Sequence, residues 1–197
     1  MSTSFSSPCA APRRVYVDGA CSGNHLPASS GLRSGGIGIY VEPAPGSEAE
    51  AACVSEPLRQ TAEYPATNNR AELTALAHAI EWVCGDRSPV ERHEAVLVLC
   101  DNHLAVSTYN SYLDTWSRNG YRTQRGQPIA NLDLVQRLER AKALAQRRAH
   151  PVRVAEVRAH RTEPRDVAHD TLVWRDWHGN HCADELAVAA VGAPSVT

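Results

Sequence analysis

A continuous apolar run, AVLVLC at residues 95–100, constrains the fold of this chain more than any other feature. Strands that are apolar without alternation are typical of the centre of a parallel sheet that helices cover on both faces. The run ends directly in Asp101, and ligand sites of such sheets lie at the carboxyl ends of the strands. The sequence therefore predicts an α/β domain with a ligand site near Asp101.

The remaining patterns predict a mixed sheet. Strands are predicted near residues 15–18 and over 35–41, 52–60, 95–100 and 152–159, and helices over 67–83, 103–117, 132–148 and 182–191. Three consecutive strands followed by strands that alternate with helices predict a meander joined to parallel strands by helical crossovers. A chain of 197 residues is sufficient for one such domain. We expect it to span residues 13–192, between tails at 1–12 and 193–197.

Composition and charge narrow the classes of protein. The six cysteines form no CxxC pair, and neither a signal peptide nor a membrane-spanning run is recognisable, so we expect an intracellular, cytoplasmic protein, or a nuclear one in a eukaryote. The net charge of −2 is uneven, with +8 over residues 116–165 between acidic segments. This distribution is typical of a protein that holds a polyanion on one surface and cations on another, although a solvated arginine-rich helix face would also give it.

Four acidic residues fall at equivalent places in the predicted elements. Asp18 and Asp101 end neighbouring strands, Glu72 lies in the first turn of a long helix, and Asp184 starts the last helix. Converging carboxylates repel one another unless hard cations neutralise them, and oxygen ligands suit Mg²⁺ or Mn²⁺. Each residue alone is more often a strand-end or helix-cap acid, but the four together predict a metal site.

The motifs that carry these acids resemble type 1 ribonuclease H. They are DGACSGN at 18–24, GGIGIY at 35–40, TNNRAEL at 67–73, DN at 101–102 and NHCADELA at 180–187. The resemblance extends in order over about residues 13–190. It implies a five-stranded mixed sheet in the order 3-2-1-4-5 with flanking helices. It also implies endonucleolytic cleavage of the RNA strand of RNA/DNA hybrids, leaving 5′-phosphate and 3′-hydroxyl ends.

The resemblance further implies the roles of individual residues. Asp18, Glu72, Asp101 and Asp184 would be the catalytic ligands of two Mg²⁺ ions, with Mn²⁺ as a substitute. His160 would assist proton transfer or product release. The substrate-binding residues would be Gly19, Asn24, Thr67, Asn68, Arg70, His103, Trp116, Arg118, Arg122 and Asn180. His103 stands where the family often has glutamine, and Trp116 is followed by one arginine where strong members carry a lysine pair.

A segment of about residues 161–178 is longer than the loop of many family members. Its aromatic and histidine side chains, at 169, 174, 177 and 178, could form a flap over the substrate or supply another base, but a surface elaboration packed on the domain is the simpler interpretation. His178, His181 and Cys182 lack finger spacing, so a zinc site is disfavoured. GGIG at 35–38 lacks GKS/T, so we expect no nucleotide cofactor.

Two other functions stay open at this point. The chain could be a protein that binds hybrid or double-stranded RNA and has lost turnover, or another nuclease of the same fold, such as a resolvase or exonuclease. The complete carboxylate set argues against the first, and TNNRAEL against the second. We expect a monomer that binds RNA/DNA hybrids and no membrane.

Overall fold

The computed structural model describes residues 11–27, 33–44, 46–61, 63–148, 151–158 and 162–192. His160, both predicted tails apart from residues 11–12, and the first residue of the 161–178 segment lie outside these ranges. None of the helices in the described ranges has the length and apolar character needed to cross a membrane.

The sheet has five strands in the order β3-β2-β1-β4-β5, which confirms the predicted fold class. The strands are β1 (Arg13–Ser22), β2 (Ser34–Val41), β3 (Ala52–Pro57), β4 (Val96–Cys100) and β5 (Val152–Glu156). The first three form an antiparallel meander, whereas β1, β4 and β5 are parallel. β3 ends at Pro57 and not at residue 60 as predicted, although the Leu58 N–H still donates a hydrogen bond of 2.8 Å to the Gly35 carbonyl of β2.

Helices cover both faces of the sheet. They are α1 (Asn68–Val83), α2 (His103–Ser107), α3 (Leu113–Arg118), α4 (Leu132–Arg147) and α5 (Leu172–Ala190). The side chains of Val15 and Val17 pack in the large core with α1, and the Tyr16 side chain, between them in sequence, packs with α5 on the other face. This alternation is why β1 is almost entirely buried despite carrying two arginines and an aspartate.

The structure corrects two of the predicted helices. The helix expected over 103–117 is interrupted by a π-helical segment, Thr108–Tyr112, between α2 and α3. The last helix begins at Leu172 instead of residue 182, because the Thr171 side chain caps it by accepting a hydrogen bond from the backbone N–H of Trp174. Residues 172–178 of the long segment are therefore helical, and Asp184 lies in the second half of α5 and not at its start.

Candidate active site

Two of the predicted carboxylates lie side by side because of strand pairing. β1 and β4 are parallel neighbours, and Val17 is in register with Cys100. The next residues, Asp18 and Asp101, are therefore neighbours. Asp101 directly follows β4 as predicted, but Asp18 does not end its strand, because β1 continues to Ser22 and pairs Asp18 with Gly38 of β2. Asp18 is buried, and its Oδ1 accepts a hydrogen bond of 2.8 Å from the backbone N–H of Gly19.

Glu72 reaches the same place because α1 packs unusually close to β1. A Cβ atom at Gly19 would lie 2.3 Å from the backbone nitrogen of Glu72 and 2.4 Å from the carbonyl carbon of Ala71. Only glycine permits this approach. Thr67 begins the helix as its N-cap, as predicted, and places Glu72 just past the first turn and not within it.

Asp184 comes from α5, which crosses the other face of the sheet at similarly short range. A Cβ atom at Gly38 would lie 2.0 Å from the carbonyl oxygen of Ala183 and 2.6 Å from the backbone nitrogen of Ala187. This glycine of β2, next to β1, brings the middle of α5 against the sheet. Asp184 is then close enough to Asp18 to contribute to raising its pKa.

The electrostatics of this carboxylate cluster (Asp18, Glu72, Asp101 and Asp184) indicate a cation site. Carboxylate oxygens of Asp18, Glu72 and Asp101 all lie within 4.8 Å of one another. Burial, followed by the charges of Asp101 and Asp184, raises the pKa of Asp18 to about 7. Burial, followed by the charges of Asp18 and Asp101, raises the pKa of Glu72 to about 9.

These residues fit a divalent metal. All the donors are hard oxygens, which suit Mg²⁺ or Mn²⁺, and a cation between them would relieve the repulsion that raises the pKa values. Within the described residues, Asp18, Glu72 and Asp101 are the only group of three or more potential ligands whose ligand atoms lie this close together, and Asp184 is not part of that group. Beneath it, the Cys100 thiol lies 3.7 Å from Oε2 of Glu72 and supports that side chain from the core side.

The residues predicted to bind substrate near the cluster fall into two groups. Asn24 and Asn68 are exposed on the turn after β1 and at the start of α1, where a ligand could reach both. Arg70 is buried instead, and it pairs with Asp133 through two hydrogen bonds of 2.9 and 2.6 Å. A substrate-binding role of Arg70 stays a prediction, since its observed contacts anchor α4 to α1.

His103 is exposed at the first position of α2, two residues after Asp101. Its Nδ1 lies 2.9 Å from Oε2 of Glu156, and its Nε2 lies 3.2 Å from Oγ of Ser107. The sequence analysis did not identify Glu156 or Ser107. A signal for Glu156 was present, since it ends β5 beside the strand that Asp101 ends.

The predicted basic surface lies on α3 and the loop that follows it. Trp116 is half-buried and stacks obliquely on Tyr112, with ring centroids 5.1 Å apart. Arg118 and Arg122 are exposed, and each donates a hydrogen bond to a backbone carbonyl, of Asp114 and of Gly126 respectively. Their guanidinium groups therefore face solvent on a surface that could contact phosphates.

The remaining predicted residues lie on α5. Asn180 is buried on the turn before Asp184, and its Oδ1 has no hydrogen-bond partner within the described part of the chain. Farther toward the start of α5, Trp174 stacks between His169 and His178, with centroids 4.2 and 4.5 Å away, and His178 meets Tyr40 of β2 edge to face. This packing favours the interpretation of residues 172–178 as an elaboration packed on the domain.

Beneath those aromatic rings lies a charge network that the sequence analysis missed. Arg14 of β1 contacts Asp176 and donates a hydrogen bond of 2.8 Å to the Tyr16 hydroxyl, while Arg175 pairs with Glu42. Arg14, Tyr16 and Glu42 are buried. The network holds the first turns of α5 against β1 and the residue after β2.

Comparisons with known proteins agree with this architecture. The family model for RNase H matches residues 11–192. The ribonuclease H of Dinoroseobacter shibae is 32% identical over 158 residues, which cover 80% of this chain and 86% of that protein.

Two solved structures show the same fold. LC9-RNase H1, described as a type 1 RNase H with the type 2 active-site motif, has a TM-score of 0.63 and 26% identity over 96% of this chain and 76% of its own. A foamy viral protease-reverse transcriptase, solved in complex with an RNA/DNA hybrid, has a TM-score of 0.63 and 16% identity over 96% of this chain and 22% of its own. The matching family model and the curated relative together show that the chain belongs to the ribonuclease H family of hydrolases.

Proposed function

We propose that this protein hydrolyses the RNA strand of RNA/DNA hybrids with the help of two divalent metal ions, Mg²⁺ or Mn²⁺, and leaves 5′-phosphate and 3′-hydroxyl ends. The observation that carries the proposal is the convergence of carboxylate oxygens of Asp18, Glu72 and Asp101 within 4.8 Å of one another, at the carboxyl end of β4. Asp184 adds a fourth carboxylate from the other face. Family membership supplies the reaction class.

The carboxylate cluster would hold the cations, and bound divalent ions would supply charge for activating water and stabilising the leaving oxygen. The protein's own contribution is positioning, since Gly19 and Gly38 fix the two helices that carry Glu72 and Asp184. Burial of Asp18 and Glu72 excludes water from one side of the site. Because the carboxylates repel one another, the site is poised to bind cations and phosphate together.

Substrate would lie across the exposed residues that flank the cluster. Asn24, Asn68 and His103 are exposed at the turn after β1 and at the starts of α1 and α2, and their amide and imidazole groups are suited to hydrogen-bond the 2′-hydroxyl groups of the RNA in the minor groove. Arg118 and Arg122, with Trp116, would contact phosphates of the DNA strand. His160 is proposed to assist proton transfer on the strength of the sequence resemblance.

The protein's expected domain limits, its monomeric state and its intracellular location stay predictions.

The proposal is tested by cleavage of an end-labelled RNA/DNA hybrid in Mg²⁺ by the wild type and by Asp101→Asn. Single-stranded RNA, duplex RNA and duplex DNA serve as substrate controls, and Asp86→Asn is the matched variant, since Asp86 is an exposed residue paired with Arg148 away from the cluster. We expect the wild type and Asp86→Asn to cut only the hybrid, and Asp101→Asn to lose the activity.

Mapping the product ends tests the chemistry separately. Extension of the upstream fragment by a polymerase requires a 3′-hydroxyl, and sensitivity of the downstream fragment to phosphatase requires a 5′-phosphate. A hybrid that is bound but not cut in either Mg²⁺ or Mn²⁺ would overturn the proposal and favour a binding protein.

A further inference from the structure

The contacts of His103 define an arrangement of three side chains at the edge of the proposed site. Its Nδ1 is 2.9 Å from Oε2 of Glu156, and its Nε2 is 3.2 Å from the hydroxyl oxygen of Ser107. Glu156 lies on β5, next to β4, in register with Cys100. The imidazole of His103, which follows Asp101 by two residues in sequence, is therefore held by a carboxylate from the strand next to β4.

The chemistry of the partners decides which nitrogen carries the hydrogen. An ionised carboxylate only accepts hydrogen bonds, so Nδ1 must carry a hydrogen and donate it to Glu156. In the neutral imidazole, Nε2 then has the lone pair, and the Ser107 hydroxyl donates to it. Glu156 thus fixes both the orientation of the ring and an acceptor at Nε2.

The arrangement is accessible to a ligand. The side chain of His103 is 79% exposed, and that of Glu156 is 51% exposed. Ser107 is one helical turn from His103 and could rotate away, since a hydroxyl turns about a single side-chain bond. A hydroxyl donor from solvent or from a bound molecule could then replace it at Nε2.

We propose that Glu156 is a positioning residue that holds His103 to accept a hydrogen bond from one ribose 2′-hydroxyl of the RNA strand, which takes the place of the Ser107 hydroxyl. This inference rests on the proposed function and deepens it. A 2′-hydroxyl can donate this hydrogen bond, whereas the deoxyribose of DNA has no group there. The pair therefore contributes to the selection of RNA over DNA on one side of the cluster.

The first test measures kcat and KM on hybrids in which one RNA residue at a time carries 2′-deoxy or 2′-fluoro. A 2′-fluorine can accept but cannot donate, so both changes should slow the wild type at the same one position, by about tenfold, the size of one net hydrogen bond. His103→Ala should lower kcat/KM on the unmodified hybrid by a similar factor. In this variant, a modified residue at that position should cause no further loss of rate.

The second test separates positioning from packing. Glu156→Ala should reduce the loss of rate that the 2′-deoxy or 2′-fluoro residue causes at that position. Glu156→Gln should restore most of this loss, because the amide oxygen still accepts a hydrogen bond from Nδ1–H. Glu163→Ala is the matched control, since it removes another exposed acid. The double variant His103→Ala/Glu156→Ala should equal His103→Ala alone, since Glu156 acts through the histidine. Nitrogen chemical shifts of the His103 ring should report hydrogen on Nδ1 in the wild type and a changed tautomer ratio in Glu156→Ala.

The outcomes are distinguishable. If the wild type cuts hybrids while Glu156→Ala keeps the full loss of rate at that position, or the two substitutions add, the inference is overturned and the proposed function stands. If the wild type cuts no hybrid, the proposed function fails and this inference fails with it.

Discussion

Helix α5 takes part in two clusters of charged residues that differ in composition. Near its start, the charge network of Arg14, Tyr16, Glu42, Arg175 and Asp176 places each acid against an arginine. About 12 Å farther along the helix, Asp184 joins a cluster that consists only of acids. The first cluster joins opposite charges, and the second joins like charges.

The burial of the two clusters is comparable, so the difference lies in charge. Glu42 is 8% exposed and faces the Arg175 guanidinium, whereas Asp18 is 7% exposed, and burial and neighbouring acids raise its pKa to about 7. A buried pair of opposite charges stabilises a fold once both partners are present. A buried group of like charges costs stability until a cation binds, which is the usual relation between a functional site and the scaffold that holds it.

The largest expected effect is on activity, from Asp184→Asn. Removal of the carboxylate that α5 gives to the cluster should lower kcat on hybrid by about 100-fold or more, since it weakens metal binding at the site. The midpoint of urea denaturation of this variant, measured in EDTA, should stay at or above that of the wild type. A variant that lost stability in step with activity would show that Asp184 belongs to the scaffold instead.

The next effect is on stability, from Glu42→Gln. Loss of this buried charge leaves the Arg175 guanidinium without its carboxylate, and we expect unfolding to become easier by about 2 to 4 kcal/mol in urea denaturation. Cleavage per folded molecule should be unchanged. A fall in kcat at a temperature where the variant is fully folded would contradict the separation of the two clusters.

A smaller effect should follow from Asp18→Asn without metal. The folded-state pKa of Asp18, about 7, is above its unfolded value of about 3.9, so the folded protein binds more protons and loses stability as pH rises from about 4 to 7. The variant lacks this loss and should be more stable than the wild type by about 1 to 3 kcal/mol above pH 7.

The check is a series of urea denaturations in EDTA between pH 5 and 8. The difference between Asp18→Asn and the wild type should grow as pH rises, and addition of Mg²⁺ should stabilise the wild type more than the variant. A difference that does not depend on pH would mean that the carboxyl is ionised at every pH tested.

The smallest expected effect comes from Arg175→Lys, which keeps the charge of the network but removes the fork of guanidinium donors that holds Glu42. A loss of about 1 kcal/mol in the free energy of unfolding is expected, because one ammonium cannot reproduce the paired hydrogen bonds. Calorimetry of the variant beside Glu42→Gln measures how much of the network depends on geometry and how much on charge. Equal losses in the two variants would assign the whole effect to geometry.

The sequence predicted the sheet and the meeting of Asp18 with Asp101 because both depend on short-range signals. The apolar pattern gives the end of β4, and parallel pairing of β4 with β1 then brings Asp101 next to Asp18, although β1 itself continues to Ser22. The two close helix crossings could not be derived this way, since nothing local distinguishes Gly19 and Gly38 from glycines in ordinary strands. Their meaning comes from backbone atoms that are distant in sequence.

The start of α5 was missed for a related reason. Gly179 lowers helix propensity in the middle of the segment, and so favours a break between residues 178 and 182. In the structure, glycine is required at position 179, because a Cβ atom there would lie 2.2 Å from the ring of Tyr16. Tertiary packing therefore overrides local propensity, and it also explains why Arg14 and Glu42 were not recognised as buried partners of this helix.

The π-helical segment Thr108–Tyr112 has a consequence for the direction in which α3 faces. Such a segment contains one residue more than the α-helical turn it replaces, and one residue corresponds to a rotation of about 100° about the helix axis. Deletion of a single residue there would leave α2 in place and turn the side chains of Trp116 and Arg118 to a different azimuth. The number of residues in this segment therefore sets the direction in which the basic surface faces relative to the carboxylates, whichever residues form that surface.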